Sequence, residues 1–275
     1  MYVWKQLTPS IPHPMALGLA CGMTDTGLVR RSNEDNFLVL PDLGLVAIAD
    51  GMGGHDGGEV ASADALLALA HFLGARQEAV GADADGGAAD PEDWNDAITR
   101  ALITAHDAVE YANASLYRTN LDNRRGDGAG MGTTLTGIWQ PQAPGPAFIF
   151  HVGDTRLYRL RDGHFMQMTR DQTMYQLALE TGALENLPGR NLLLQALGPA
   201  ADVAPELHTV AVAPGDRYLL CSDGLHGVSS DAEVGSIVAA TGAADIEASC
   251  ARLIELAKRD GSRDNITVVL VCCPG

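Results

Sequence analysis

Phe37-Leu-Val-Leu-Pro-Asp-Leu-Gly-Leu-Val-Ala-Ile-Ala-Asp50-Gly51 is the stretch that decides the fold. Two short apolar runs, Phe37 to Leu40 and Leu43 to Ala49, are joined by Pro41-Asp42, a pattern that predicts a β-hairpin. The second strand ends abruptly on a carboxylate, at Asp50-Gly51. Downstream the period changes. Glu59 to Leu73 carries apolar residues at helical spacing, and Asp93 to Arg118 does so for longer, with Trp94, Ile98, Leu102, Ala105, Val109, Ala112 and Leu116 on one stripe. These are expected as two helices packed on a sheet. Gly81 to Asp90 between them is almost wholly Gly, Ala and Asp and cannot bury enough apolar surface to order itself, so 79–92 is expected as a flexible loop.

Further out, the strand pattern returns. Thr133 to Trp139, Ala147 to Val152, Arg156 to Leu160 and His164 to Thr169 are separated by Pro141 to Pro146, Gly153-Asp154 and Asp162-Gly163, which predicts an antiparallel meander. Met174 to Gly182 is a short helix, and Ala183 to Pro205 is an irregular stretch, so 174–205 is expected as a surface flap. Arg217 to Cys221 is a strand, Asp231 to Ala240 and Ile246 to Arg259 are helices, and Ile266 to Cys272 closes the chain as a strand. Before the hairpin, Pro9, Pro12 and Pro14 break residues 1–16 into an N-terminal extension, leaving 17–275 as one domain. Meanders mixed with helix pairs, without internal repeats, define an α+β layered architecture rather than a parallel βαβ fold.

The 275 residues are 46% hydrophobic and 19% charged, enough for a substantial core. Thirty-five acidic against 18 basic residues give a net charge of -17, which argues against binding nucleic acid or an anionic membrane surface. Cys21, Cys221, Cys250, Cys272 and Cys273 are odd in number and lack C-x-x-C spacing, so they predict neither a disulfide framework nor a zinc site. No apolar run has the length of a signal peptide core or of the ~18-residue bilayer span, which makes the cytoplasm the expected location.

Four segments share one construction, a β-like apolar run abutting an aspartate: Val46 to Ala49 before Asp50, His151-Val-Gly before Asp154, Leu219 to Ser222 before Asp223, and Asp264-Asn265 before Ile266. Taken singly, an Asp-Gly at a strand end is an ordinary hairpin turn. Four in one chain point to oxygen ligands for hard divalent cations, since aspartates from separate strands can share ions and leave room for water. Asn33-Glu34-Asp35 follows Arg30-Arg31; alone it reads as a solvated polar turn. Beside a carboxylate-rich metal site, however, a guanidinium fork matches two phosphate oxygens.

In order, Gly27-Leu-Val-Arg-Arg-Ser-Asn-Glu-Asp35, Val46-Ala-Ile-Ala-Asp-Gly-Met-Gly-Gly-His55, Gly130-Met-Gly-Thr-Thr-Leu135, His151-Val-Gly-Asp-Thr-Arg156, Cys221-Ser-Asp-Gly-Leu225 and Ser262-Arg-Asp-Asn-Ile-Thr267 resemble the bacterial branch of the metal-dependent type 2C serine/threonine protein phosphatases. The resemblance spans roughly 20–272. It implies a four-layer αββα sandwich, with two antiparallel sheets flanked by helix pairs. It also implies two catalytic Mn2+ or Mg2+ ions bridged by Asp50, with the Gly51 carbonyl on one and Asp223 and Asp264 on the other. Glu34 and Asp35 would act through metal-bound waters, and Asp154 with Asp223 would hold a weaker third ion. Arg30 matches the phosphate-binding arginine, with Arg31 the alternative one position on. The 174–205 flap, including Arg190-Asn191, falls beside the active site, and its Leu187-Pro-Gly stretch is shorter than usual.

Two cations ~3.5–4 Å apart can acidify a shared water and favour in-line attack at phosphorus, so no covalent enzyme intermediate is required. Consistently, no cysteine is followed six positions later by the arginine that cysteine-dependent tyrosine phosphatases need. A serine alkoxide leaves more easily if protonated, and His55 is the candidate general acid, against a purely structural role on its loop. His151 and His226 read as core or supporting residues, and Gly132-Thr133-Thr134 as close packing near the site. The function expected is hydrolysis of phosphoserine and phosphothreonine on protein substrates, opposing a serine/threonine kinase, by a monomer. A low-turnover regulatory member of the same fold and a small-molecule phosphomonoesterase are the alternatives.

Overall fold

The computed structural model describes residues 5–53, 57–83, 91–123, 130–183 and 185–275. The decisive hairpin is β3 (Asp35–Leu40) and β4 (Leu45–Met52), joined through a single 3-10 turn at Pro41–Leu43. Successive side chains of a strand point to opposite faces, and in β4 both faces are buried. Leu45, Ala47 and Ala49 enter one core with the helices α1 (Gly58–Asp83) and α2 (Pro91–Asp122). Val46 and Ile48 enter a second core between two sheets. That two-sided burial makes the run continuously apolar instead of alternating.

The same sheet continues through β6 (Leu135–Trp139), β7 (Ala147–Val152) and β10 (Glu206–Val210), in the order β10-β7-β6-β4-β3, with the two-residue β5 (Gly132–Thr133) pairing the end of β4. The second sheet has the order β1-β2-β12-β11-β8-β9, from β1 (His13–Met15), β2 (Gly18–Asp25), β8 (Arg156–Arg161), β9 (His164–Gln167), β11 (Arg217–Cys221) and β12 (Ile266–Cys272). Every pairing is antiparallel.

In β12, Val269 and Val271 face the inter-sheet core, whereas Ile266, Val268 and Leu270 pack on the short α4 (Asp223–His226), on α5 (Asp231–Ala240) and on α6 (Ile246–Arg259). On α6, Ile246, Cys250, Leu253, Ile254 and Ala257 recur at helical spacing and form its buried stripe. Ser230 caps α5: its hydroxyl accepts from the Glu233 amide at 3.3 Å. Helix pair, sheet, sheet and helix pair therefore stack as four layers, the architecture expected from the resemblance. All five cysteines are free and buried, as small core residues.

Four expectations change. The stretch 133–169, read as one antiparallel meander, is two hairpins in different sheets: β6 pairs β7 in the first and β8 pairs β9 in the second, so the chain crosses between sheets at Gly153-Asp154. The loop set at 79–92 is narrower, because α1 runs to Asp83 and α2 begins at Pro91; Ala75 to Ala79 is a run of good helix formers that carries α1 past Leu73. What remains of that loop, 84–90, lies outside the described residues. The segment read as an N-terminal extension is built into the domain. His13–Met15 pairs with β2, Thr8 accepts the Val39 amide at 3.0 Å, and Asn36 accepts the Leu7 amide at 3.1 Å. Its prolines suit an edge strand. Finally, β10 follows the flap unannounced, because Glu206-Leu-His-Thr-Val mixes polar and apolar residues without a clean alternation. Within the flap, α3 (Met174–Glu180) is the one regular element among the described residues.

Candidate metal centre

The carboxylates converge because the strand ends do. Antiparallel register sets Asp35 directly opposite Asp50 at one end of the β3-β4 pair. Asp154 follows β7, Asp223 follows β11 by one residue, and Asp264 precedes β12 by one residue. These ends open on one cleft of about 470 Å³, whose walls include Arg30, Glu34, Asp50, Gly51, Asp154, Asp223 and Asp264.

Hydrogen bonds to the backbone hold the Asp50 and Asp154 positions. The Asp50 carbonyl accepts from Thr134 N–H at 2.9 Å and from the Thr133 hydroxyl at 2.8 Å, while the Asp50 amide donates to Thr134 Oγ1 at 2.9 Å. Gly132-Thr133-Thr134 thus anchors the end of β4. Gly51 must be glycine, since a Cβ there would lie 2.0 Å from the Gly58 carbonyl oxygen and 2.6 Å from that of Glu34. His226 Nε2 lies 2.9 Å from the Asp154 carbonyl, an acceptor only, so that nitrogen carries the proton. His151 is fully buried, with Nε2 donating to the Arg170 carbonyl at 3.0 Å and Nδ1 2.8 Å from the Thr136 hydroxyl. Each histidine ring donates to a backbone carbonyl, and neither lines the cleft.

Electrostatics mark the cleft as a cation site. Burial, then repulsion from Asp223, raises Asp154 to about 7. Burial and the facing Asp264 raise Asp223 to about 6. Burial and the neighbouring aspartates, Asp35 foremost, push Asp50 well above the carboxylate range. Asp35 is raised to about 7 by burial, against hydrogen bonds from the hydroxyls of Thr267 at 2.7 Å and Ser222 at 2.8 Å. Asp223 Oδ1 is buried without a hydrogen-bond partner among the described residues. Five lining carboxylates face one lining guanidinium, among the described residues. An orphaned carboxylate oxygen amid mutually repelling anions fits hard divalent cations, whose preferred donors are oxygens.

The candidate residues do not all sit alike. Asp50, Gly51, Asp154, Asp223, Asp264, Glu34 and Arg30 share the cleft. Asp35, 1% exposed, lies beneath it and ties the β11 and β12 ends together through Ser222 and Thr267. Arg30 Nη2 meets Asp264 Oδ2 at 2.6 Å, whereas Arg31 is exposed and not among the lining residues. His55 lies outside the described residues. The flap contributes Asn191 and Leu193 to the wall, while Arg190 lies over the Tyr175 ring, 4.4 Å from its centroid. Two supporting residues went unread in the sequence. Gln172 brackets Gly153, its Oε1 accepting the Gly153 amide at 2.8 Å and its own amide donating to the Gly153 carbonyl at 2.7 Å. Asn265 holds the Arg30 loop. Asn265 directly follows Asp264, and that adjacency was the available signal.

Two antiparallel sheets between helix pairs, with aspartates gathered at one edge of the sandwich, define the class: a layered α+β domain with a carboxylate-lined cleft. The chain belongs to the protein phosphatase 2C family, whose model matches residues 30–258. It is 38% identical over 252 residues to the serine/threonine protein phosphatase PstP of Mycobacterium tuberculosis, covering 90% of this chain but 43% of that protein, so it spans less than half of that relative. It is 32% identical over 261 residues to the serine/threonine phosphatase stp of Listeria innocua, covering 90% of this chain and 93% of that one. Among solved structures, the catalytic domain of PstP in complex with two manganese ions superposes with a TM-score of 0.73 at 36% identity, over 93% of this chain and 98% of that one.

Proposed function

We propose that this chain is a metal-dependent phosphatase that hydrolyses phosphoserine and phosphothreonine in proteins, reversing a serine/threonine kinase. The observation that carries the proposal is the single cleft in which Asp50, Asp154, Asp223 and Asp264 meet Arg30, with Asp223 Oδ1 buried and unpartnered among the described residues. The names of the relatives and the two manganese ions in the PstP structure support it.

Asp50, the Gly51 carbonyl, Asp223 and Asp264 would hold two Mn2+ or Mg2+ ions, with Glu34 and Asp35 supporting them and Asp154 with Asp223 holding a weaker third. Bound divalent cations supply Lewis acidity, acidifying water and neutralising the charge that develops on the phosphoryl group. Arg30 binds two phosphoryl oxygens through its guanidinium fork and so orients the phosphorus for in-line attack. Asn191 and Leu193 of the flap contribute to the cleft wall. His55 donates a proton to the departing serine or threonine oxygen. None of the five cysteines lines the cleft, which favours direct hydrolysis over a cysteinyl-phosphate route. The protein acts as a cytoplasmic monomer; among the described residues no helix is long and apolar enough to cross a membrane.

Phosphate release from phosphoserine and phosphothreonine peptides and from nitrophenyl phosphate, measured with manganese or magnesium and again with EDTA, tests this reading. Release that needs a divalent cation is expected. A purified, folded protein that releases none, or whose activity survives EDTA unchanged, overturns it.

A further inference from the structure

Arg30 sits on a loop that one side chain from the far end of the sequence holds in place. Asn265 Oδ1 accepts the Glu34 amide at 2.8 Å, and Asn265 Nδ2 donates to the carbonyls of Thr26 and Ser32, both at 2.9 Å. These contacts bracket Arg30 on both sides. At 5% exposed, the carboxamide is shielded from competing water, and its planar geometry fixes acceptor and donors in opposed directions.

The other contacts of the loop converge on the same place. The Gly27 amide donates to Asp25 Oδ1 at 2.8 Å, and Lys258 holds the other oxygen of that carboxylate at 2.7 Å. Gly27 has φ 78°, and a Cβ there would lie 2.2 Å from the Asp264 carbonyl oxygen. The loop backbone therefore rests directly against the residue whose side chain meets Arg30 at 2.6 Å. The tip supplies no packing of its own, since Leu28 is 68% and Val29 53% exposed. Polar contacts at the base, not burial at the tip, determine where Arg30 stands.

We propose that Asn265 is a positioning residue for Arg30: by clamping the loop at Thr26, Ser32 and Glu34 it holds the guanidinium over the cleft before the substrate phosphate arrives. The proposal rests on the reading of Arg30 as the phosphate-binding group. Arg30 is long and its side chain 52% exposed, so a loose loop would have to be ordered at each binding event; a clamped one has met that entropic cost during folding.

The test compares Asn265→Ala, Asn265→Asp, Gly27→Ala, Arg30→Ala and the double variant Asn265→Ala/Arg30→Ala in the full chain at saturating manganese. KM and kcat are measured for a phosphothreonine peptide, and orthophosphate binding by calorimetry. Asn265→Ala is expected to raise KM and the orthophosphate Kd about tenfold while kcat stays within about twofold, the size of one or two lost hydrogen bonds. Asn265→Asp keeps the acceptor for Glu34 but faces Thr26 and Ser32 with an oxygen, so it should rescue neither constant. The double variant should bind phosphate no worse than Arg30→Ala, because residues that act through one another are not additive. Gly27→Ala pushes the same loop off Asp264 and keeps the proposal testable if Asn265→Ala does not fold; it should raise KM similarly. Additive losses, a fall in kcat at constant KM, or a folded Gly27→Ala with normal KM each overturn the role of Asn265. If Arg30→Ala itself leaves KM and orthophosphate binding unchanged, the phosphate-binding reading of Arg30 falls, and the positioning role with it. If Arg30→Ala raises both and Asn265→Ala neither, only the positioning role falls.

Discussion

Asp223→Asn should stabilise the metal-free protein while removing its activity, because the same charge that holds cations burdens the empty fold. Burial, then the facing Asp264, raises the Asp223 carboxyl from 3.8 to about 6. A group whose folded pKa lies above its unfolded one gives its full stability below the unfolded value and loses it as the pH rises through the folded value. Above about pH 6, then, metal-free protein carries an ionised Asp223 at a cost. Two units at ~1.36 kcal/mol each set a ceiling of about 3 kcal/mol, and water in the open cleft screens this to about 1 to 2 kcal/mol. For a chain of this size each kcal/mol is worth about 2–4 °C, so the variant should melt about 2 to 8 °C higher than wild type at pH 8 in EDTA. At pH 5, midway between the unfolded and folded values, the difference should fall to roughly half, and it vanishes only below the unfolded value of 3.8. Melting followed by dye fluorescence in EDTA at both pH values, then along a manganese titration, reads both effects. Manganese should stabilise wild type strongly and the variant weakly, and phosphatase activity should fall about 100-fold or more. A variant no more stable than wild type in EDTA at pH 8, or one that keeps its manganese response and most of its activity, refutes the reasoning.

Asp154→Ala should shift the manganese activation curve several-fold to higher concentration with little change in the rate at saturation; an unchanged curve removes the third-ion role. His151 acts on stability with the opposite sign to Asp223. Burial lowers it from 6.5 to about 4, so its contribution is complete above pH 6.5 and is lost as the pH falls towards 4, by about 3 kcal/mol. Urea midpoints between pH 7 and 4.5 should therefore fall less steeply for His151→Gln than for wild type, and parallel slopes would contradict the assignment. Gly51→Ala forces a methyl against two carbonyl oxygens 2.0 and 2.6 Å away and should cost about 3 kcal/mol or more, read as a lowered urea midpoint.

Those parts of the fold that rest on short-range periodicity were legible in the sequence. Ala147–Val152, Arg217–Cys221, Asp231–Ala240, Ile246–Arg259 and Ile266–Cys272 fall at the residues their patterns predicted. Each is apolar over its whole length or in a clean stripe and is bounded by a strong turn signal. Elements stabilised from outside were harder to read. His13-Pro-Met has almost no strand propensity and is a strand because β2 offers an unpaired edge; Glu206 to Val210 is one because β7 does. The lining aspartates could be found because chain order places each beside an apolar run. The supporting roles were not legible: Asn265 stands beside Asp264, but it and Gln172 act by hydrogen bonds to backbone atoms that only the folded chain brings near.

The sandwich also accounts for a chemistry that needs many like charges in one place. A carboxylate cluster on a mobile loop would relieve its own repulsion by moving apart. Here each aspartate is the terminal residue of a strand, or within two residues of one, and the strand is held by a core on either face. The hydrogen bonds of Thr133 and Thr134 to Asp50 bind the end of β4 to β5, and those of Ser222 and Thr267 to Asp35 bind the end of β3 to β11 and β12. Repulsion therefore appears as raised carboxyl pKa values rather than as disorder. On the proposed reading, the electrostatic energy held in the cluster is released when cations enter, and the rigidity of the two sheets would be part of their affinity. Arg30 faces the opposite requirement. It must meet an anion beside five carboxylates, one of which, Asp264, already pairs with it at 2.6 Å, and a clamped loop limits how far it can follow that attraction into the cluster. Strand ends for the anions and a stapled loop for the cation are two answers to the same constraint, that opposed charges do their work only where neither can move.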